Sequence, residues 1–241
     1  MTGLYEKDRY IFSSLLLHCT INAIASDSIV PGIRRLQTFF DILEMVKLLI
    51  GGTLKMKRKS VHPNYSMCVQ PAFIIGTHNE DGSDNFAPIT WVSATCQEGN
   101  IYLLVISMFG TKRTKLNVIR TGLFSANLVS REMLPLMDYF GSKHAKDGKK
   151  NDLSYGVSRG EVLDIPTLDE SPWVYECEVA RAVETGDSTT FFCHIRNIQM
   201  DETLCPKDIF DIDLTVLDPV IYSGKYHSLG KMLGEIGDFC K

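Results

Sequence analysis

The sequence predicts a mainly β domain closed as a barrel with a few helices, and two features predict it. Runs rich in β-branched and aromatic residues recur from Ala72 to Tyr226, each bounded by Gly, Asn, Asp or Ser turn signals. The helical patterns between them are too few and too irregular for a βαβ alternation, which excludes a doubly wound sheet.

The elements follow in order. Ala72 to Thr77 (AFIIGT) is a short apolar strand, and Asn79-Glu80-Asp81-Gly82-Ser83 turns the chain, with Gly82 where a positive φ is needed. Phe86 to Cys96 forms the next extended segment, Glu98-Gly99-Asn100 the next turn, and Ile101 to Ser107 (IYLLVIS) the next strand. Strands joined by turns of this kind read as an antiparallel meander. Thr111 to Thr121 has helical spacing and Gly122 stops it. Gly122 to Val129 returns as a strand. Arg131 to Phe140 then sets Met133, Leu134, Met137 and Phe140 on one helical side. Gly141 to Arg159 is polar and aperiodic, a surface loop or short helical excursion. Trp173 to Val183 and Thr190 to Met200 form a hairpin about Glu184–Ser188, and Asp218 to Tyr226 supplies a last short strand and turn.

The first 55 residues differ in character. Ile11 to Ala25 is apolar but interrupted by His18, Cys19, Thr20 and Asn22, so it falls short of the ~20 apolar residues that span a bilayer. Glu6 and Asp8 argue against a signal peptide. Phe39, Phe40, Leu43, Val46 and Ile50 recur at helical spacing. Met56 opens a start-like MKRKS, and Ile50-Gly51-Gly52 is encodable by a ribosome-binding sequence. Residues 1–55 are therefore expected to be either an N-terminal extension, helical over Leu36–Ile50, or the product of an upstream start assigned in place of Met56. Residues 56–241 form the barrel domain. A peptide from residues 1–55 in the native protein would contradict the second alternative.

Composition narrows the function. An apolar fraction of 44% is enough for a buried core, and a net charge of −4 gives no electrostatic reason to expect nucleic acid or an anionic membrane as partner. Seven scattered cysteines without a C-x-x-C pair fit a reducing cytoplasm, not a disulfide framework or a zinc site. No metal site is expected, because the histidines do not cluster at ligand spacing. The chain has no G-x-G-x-x-G after a strand, no P-loop, no G-x-S-x-G and no H-E-x-x-H. Redox or group-transfer chemistry would then need a cofactor held by other means.

The stretch Gly110 to Asn117 (GTKRTKLN) offers such a means. Backbone N–H groups at a helix start, with Lys112, Arg113 and the hydroxyls of Thr111 and Thr114, suit a phosphate. Alone, such a basic helix start is more often a solvated face. Five pieces in register add to it. DG-x-x-N (Asp81 to Asn85), ITWVSAT, KRTKLNVIRTGLFSANLVS (Lys112 to Ser130), YECEV followed by a Gly-Asp turn, and DPVIYSGKYHSLGK (Asp218 to Lys231) together resemble the flavin reductase domain family, including flavoredoxin.

The resemblance covers Pro71 to Lys231 and implies an FMN-binding split β-barrel, usually a homodimer with flavin near the subunit interface. It places Asn85, Ala87, Pro88, Thr90 and Ser93 on the strand beside the flavin ring, and Lys112, Arg113 and Thr114 at the FMN phosphate. Thr90 and Ser93 also fit ordinary strand positions. Asn127 matches an F-x-x-N position, either as a flavin neighbour or as a satisfied buried Asn. Trp91 would cover the ring or pack in the barrel, and Tyr222 and Tyr226 match a C-terminal aromatic pair. Many members carry a His after the Gly-Asp turn, where this chain has Ser188. Cys177 and Cys193 fit buried, inert thiols. The activity implied is reduction of flavin by NADH or NADPH. The alternative is a flavoredoxin-like electron carrier reduced by a protein. A ferredoxin-like or oxygenase-type protein is a candidate redox partner, the ferredoxin-like donor belonging to the carrier reading, and no side chain stands out as a catalytic proton donor.

Overall fold

The computed structural model describes residues 58–63, 69–142, 153–204, 212–234 and 238. The expectations for residues 1–55, and those for residues 143–152 of the polar loop, lie outside the described residues. All of the described secondary structure belongs to the unit Asn64–Lys241.

Seven strands form the main sheet: β2 (Phe73–His78), β3 (Asp84–Ile89), β4 (Val92–Gln97), β5 (Ile101–Phe109), β6 (Leu123–Leu128), β9 (Trp173–Thr185) and β10 (Ser188–Met200). Their order across the sheet is β3-β2-β6-β9-β10-β5-β4, antiparallel throughout. The two edges, β3 and β4, are joined by Thr90 and Trp91 alone. A flat sheet of this size would part its edges by roughly 29 Å, while the Cα atoms of Ile89 and Val92 can be at most about 11 Å apart along the chain. The sheet must therefore curl until its two edges come together at this link, although β3 and β4 do not pair. That closure is the barrel.

The expected meander is corrected here. Phe86 to Cys96 is not one strand but two, on opposite edges of the sheet. Pro88 fits this placement, because a residue without a backbone donor is tolerated on an edge. Two β-bulges, at Phe192/Cys193 and Ile195/Asn197, bend the long β9–β10 hairpin around the curl.

The interior holds Phe73, Ile75, Ile106, Phe124, Phe191, Cys177 and Cys193. A second core lies outside the sheet, where α2 (Leu134–Ser142), entered through a 3-10 turn at Arg131–Met133, packs Met133 and Met137 with Ile74 and Phe86. Strand β2 is buried on both faces, which is why it reads as an unbroken apolar run. Phe140 and Tyr155 set their rings 5.5 and 6.4 Å from that of Phe86.

Helix α1 (Arg113–Thr121) starts two residues later than expected and ends as expected: Gly122 is left-handed at φ 69°, and its N–H bonds Val118 O. The polar loop ends in a strand, β7 (Val157–Arg159), paired with β8 (Pro166–Leu168). The C-terminal strand is two short ones, β11 (Val220–Tyr222) and β12 (Tyr226–Ser228), in a small sheet with β1 (Gln70–Pro71). A short helix, α3 (Leu214–Leu217), precedes them.

Candidate functional site

The site is built where β5 runs into α1. Gly110 has φ 71° with open space around it, so backbone conformation, not crowding, calls for glycine there. Its N–H donates to the Asp187 carbonyl at 2.9 Å, and Lys115 Nζ donates to the same oxygen at 3.0 Å. The β9–β10 turn thus anchors both ends of the segment. Between them Thr111, Lys112 and Arg113 are exposed.

Lys112 is the N-cap of α1 but makes no side-chain cap, and no acidic residue occupies the first turn. The helix start therefore keeps uncapped N–H groups and the positive end of its dipole. Neither Lys112 nor Arg113 has a hydrogen bond or ion pair among the described residues. Arg113 acts at longer range on the exposed Asp81 carboxyl, which is lowered mainly by its hydrogen bonds from Ser83. A cationic, donor-rich turn without a counter-charge of its own suits an anion with several oxygens.

Below the turn lies a polar network. Thr77 Oγ1 accepts from Asn85 Nδ2 and from Asn117 Nδ2, both at 3.1 Å. Asn85 Nδ2 also donates to Thr114 Oγ1 at 2.8 Å, and Asn117 Nδ2 to Asn79 Oδ1 at 2.9 Å. Thr77, Thr114 and Asn117 are buried. The network fixes the first two turns of α1 on the β2–β3 hairpin. Asn117 was legible in principle, standing three residues after Thr114 on the same helix face. The Asp187 carbonyl was not, since a backbone acceptor leaves no mark on sequence.

The remaining residues named from sequence separate. Ala87 pairs with Ile75 and shares its inward face, whereas Pro88 pairs with Ile74 and lies against α2, where a Cβ on Gly141 would come within 3.2 Å of its ring. Thr90 is in the edge-to-edge link, beside Trp91, whose carbonyl accepts from Ser107 N at 2.9 Å. Ser93 is exposed on β4. Asn127 is enclosed: Nδ2 donates to Ile74 O and Ser125 Oγ at 2.8 and 2.9 Å, and Oδ1 accepts from Leu168 N at 2.9 Å. Its amide nitrogen and oxygen thus both have partners inside the protein. Tyr222 and Tyr226 set their rings 5.7 Å apart, and Tyr226 Oη donates to Asp138 Oδ1 at 2.7 Å.

Glu176 was not singled out from sequence. Fully buried, it accepts from the N–H groups of Glu161, Val162 and Leu163 at 2.9, 2.9 and 2.7 Å, and from Asn197 and Gln199 at 2.7 and 2.9 Å. Burial by itself would raise the carboxyl, but hydrogen bonds from Asn197, Leu163, Val162 and Gln199 outweigh it and hold the group below its ordinary value. It ties the loop after β7 to the barrel. Nearby, Asp84 Oδ1 meets His78 Nδ1 at 3.0 Å and Arg159 Nη1 at 2.8 Å, a second tie on the same strap. The described residues contain no cluster that could hold a metal, and no described helix is long and apolar enough to cross a membrane.

The fold is a curled antiparallel β-barrel with a cationic, uncapped turn at a strand end. The chain belongs to the flavin reductase like domain family, whose pattern matches residues 65–230. Its fold, a split barrel, is shared with solved structures. A flavoredoxin of Desulfovibrio vulgaris (Miyazaki F) is 23% identical with a TM-score of 0.67, over 77% of this chain and 100% of that one. A protein described as a flavin reductase with a split barrel domain from Shewanella frigidimarina is 20% identical with a TM-score of 0.62, over 71% and 88%. An FMN-binding protein from Thermus thermophilus is 17% identical with a TM-score of 0.58, over 75% and 98%. No curated protein matches the chain significantly.

Proposed function

We propose that this protein is an FMN-dependent oxidoreductase that reduces flavin with NADH or NADPH. The observation that carries it is the Thr111–Thr114 turn. Two cations without hydrogen-bond or ion-pair partners among the described residues flank an uncapped helix start in a member of a flavin reductase family. A bound flavin would supply the redox chemistry, as a hydride acceptor for the nicotinamide. This chain's residues supply position and charge. Lys112, Arg113, Thr111 and Thr114 hold the phosphate. Ala87, Thr90 and Ser93, with nearby backbone groups, border the ring.

A second reading is an electron carrier of the flavoredoxin kind, reduced by a ferredoxin-like protein. Ser188 favours it, standing where the resemblance leads one to expect a His. A homodimer completes either reading. Strand β4 has no strand beyond it, is exposed from Ser93 to Gln97, and adjoins Ile101 and Tyr102, which are 44% and 66% exposed. An oxygenase-type acceptor fits the reductase, and free thiols fit a reducing cytoplasm.

Anaerobic titration of the purified, FMN-loaded protein separates the two readings. Bleaching of the flavin absorbance by NADH or NADPH alone supports the reductase. Reduction only by a ferredoxin-like donor supports the carrier. A colourless protein with no affinity for added FMN would overturn both.

A further inference from the structure

We infer that Asn85 is a positioning residue for the phosphate-binding turn, acting through Thr114 and not on the flavin ring. The inference rests on the FMN reading above. An amide nitrogen donates and cannot accept, while a hydroxyl does both. Asn85 Nδ2 directs one hydrogen to Thr77 Oγ1 at 3.1 Å and the other to Thr114 Oγ1 at 2.8 Å. Thr114 is therefore fixed as the acceptor of that bond. Its own proton is left over, and no acceptor for it is found among the described residues.

Thr114 is 2% exposed, so bulk water is a poor substitute for such an acceptor. It sits in the first turn of α1, directly after the exposed Thr111–Arg113 segment. A phosphate oxygen at that turn is an acceptor of the right kind. Asn85 thus sets the direction of one donor: it occupies the oxygen from the barrel side and leaves the hydrogen for the ligand side. Because Asn85 Nδ2 is also tied to Thr77, which Asn117 holds as well, the amide cannot swing away without breaking a buried bond. The carboxamide, and not merely a polar side chain, is what the position needs.

The test is binding of FMN and of riboflavin, which lacks the phosphate, to the flavin-free full chain, followed by fluorescence. Asn85→Ala is expected to weaken FMN about tenfold, the worth of roughly one hydrogen bond to a charged group, and to leave riboflavin unchanged. Asn85→Asp keeps the shape but accepts the Thr114 proton and adds negative charge, so FMN should weaken further while riboflavin again holds. In a Thr114→Val background, Asn85→Ala should add nothing to the loss. Asn117→Ala removes bonds from the same network without touching Thr114. It should lower the thermal midpoint yet preserve the FMN-to-riboflavin ratio.

An unchanged ratio in Asn85→Asp, or an equal effect of Asn85→Ala with and without Thr114, overturns the inference. Should Asn85→Ala not fold, the near-isosteric Asp variant decides the matter alone. A wild-type protein that binds FMN no better than riboflavin refutes the phosphate turn itself, an outcome distinct from failure of Asn85.

Discussion

Lys112 and Arg113 owe their significance to what does not surround them. Lys115, in the same basic run, is already committed to the Asp187 carbonyl, so the run is not one uniform patch. Replacing Lys112 and Arg113 together by Ala should weaken FMN by about tenfold or more, less than the roughly 150-fold that two charge-assisted bonds of about 1.5 kcal/mol each would give, because both side chains are exposed. Riboflavin binding should change little, and equal weakening of the two ligands would place the phosphate elsewhere. The cysteines among the described residues divide just as sharply. Cys96 is exposed on β4, whereas Cys177 and Cys193 are buried and burial raises both thiols, Cys193 to about 12. A thiol reagent on the native fold should label Cys96 and leave the buried pair untouched until the protein unfolds. Labelling of Cys193 in the native state would show the interior to be open. These single-residue features were partly visible beforehand: residue type and spacing pointed to the basic turn, but sequence had no means to separate the committed lysine from the uncommitted one.

At the scale of elements, local signals fixed what was local. Alternation revealed the β9–β10 hairpin, and Gly122 marked the end of α1, because each depends on neighbours in sequence. The split of Phe86–Cys96 into β3 and β4 was hidden, since Thr90 and Trp91 carry no turn signature and the break is imposed by barrel closure. Pro88 was the one available hint. Glu176 was equally opaque, as its partners come from distant segments. Glu176 carries a prediction at this scale. Its carboxylate satisfies three backbone donors of the strap and two side-chain amides, so Glu176→Ala should destabilise the fold by about 3 kcal/mol or more in urea denaturation. The folded carboxyl is held below its ordinary value of 4.5, so the unfolded chain takes up the proton first as pH falls. The stabilisation is complete above that value and is lost as pH drops through the lower, folded one. Glu176→Gln should be less stable at neutral pH and show a shallower acid slope below 4.5. An unchanged slope would mean that the acid sensitivity arises at other carboxylates.

For the whole molecule, the decisive relation is between the two edges of the curled sheet. Strand β3 is covered, with α1 and α2 packed against it, but β4 presents its outer face and hydrogen-bonding edge together. An exposed edge beside apolar side chains is normally blunted by charge, proline or a cover, and from Ser93 to Cys96 and at Ile101 and Tyr102 none of these is present. A second copy of the chain would provide the cover, and it would do so next to Ser93, close to the link that borders the proposed ring site. The prediction is a dimer whose loss also loosens flavin. Tyr102→Lys with Ile101→Glu places charge on that surface without touching the core, so the barrel should keep its circular dichroism and thermal midpoint. Sedimentation should then report a monomer, and FMN affinity should fall although Lys112 and Arg113 are intact. A variant that remains dimeric would move the interface off β4. One that becomes monomeric yet binds FMN at full strength would show that each barrel holds its flavin alone.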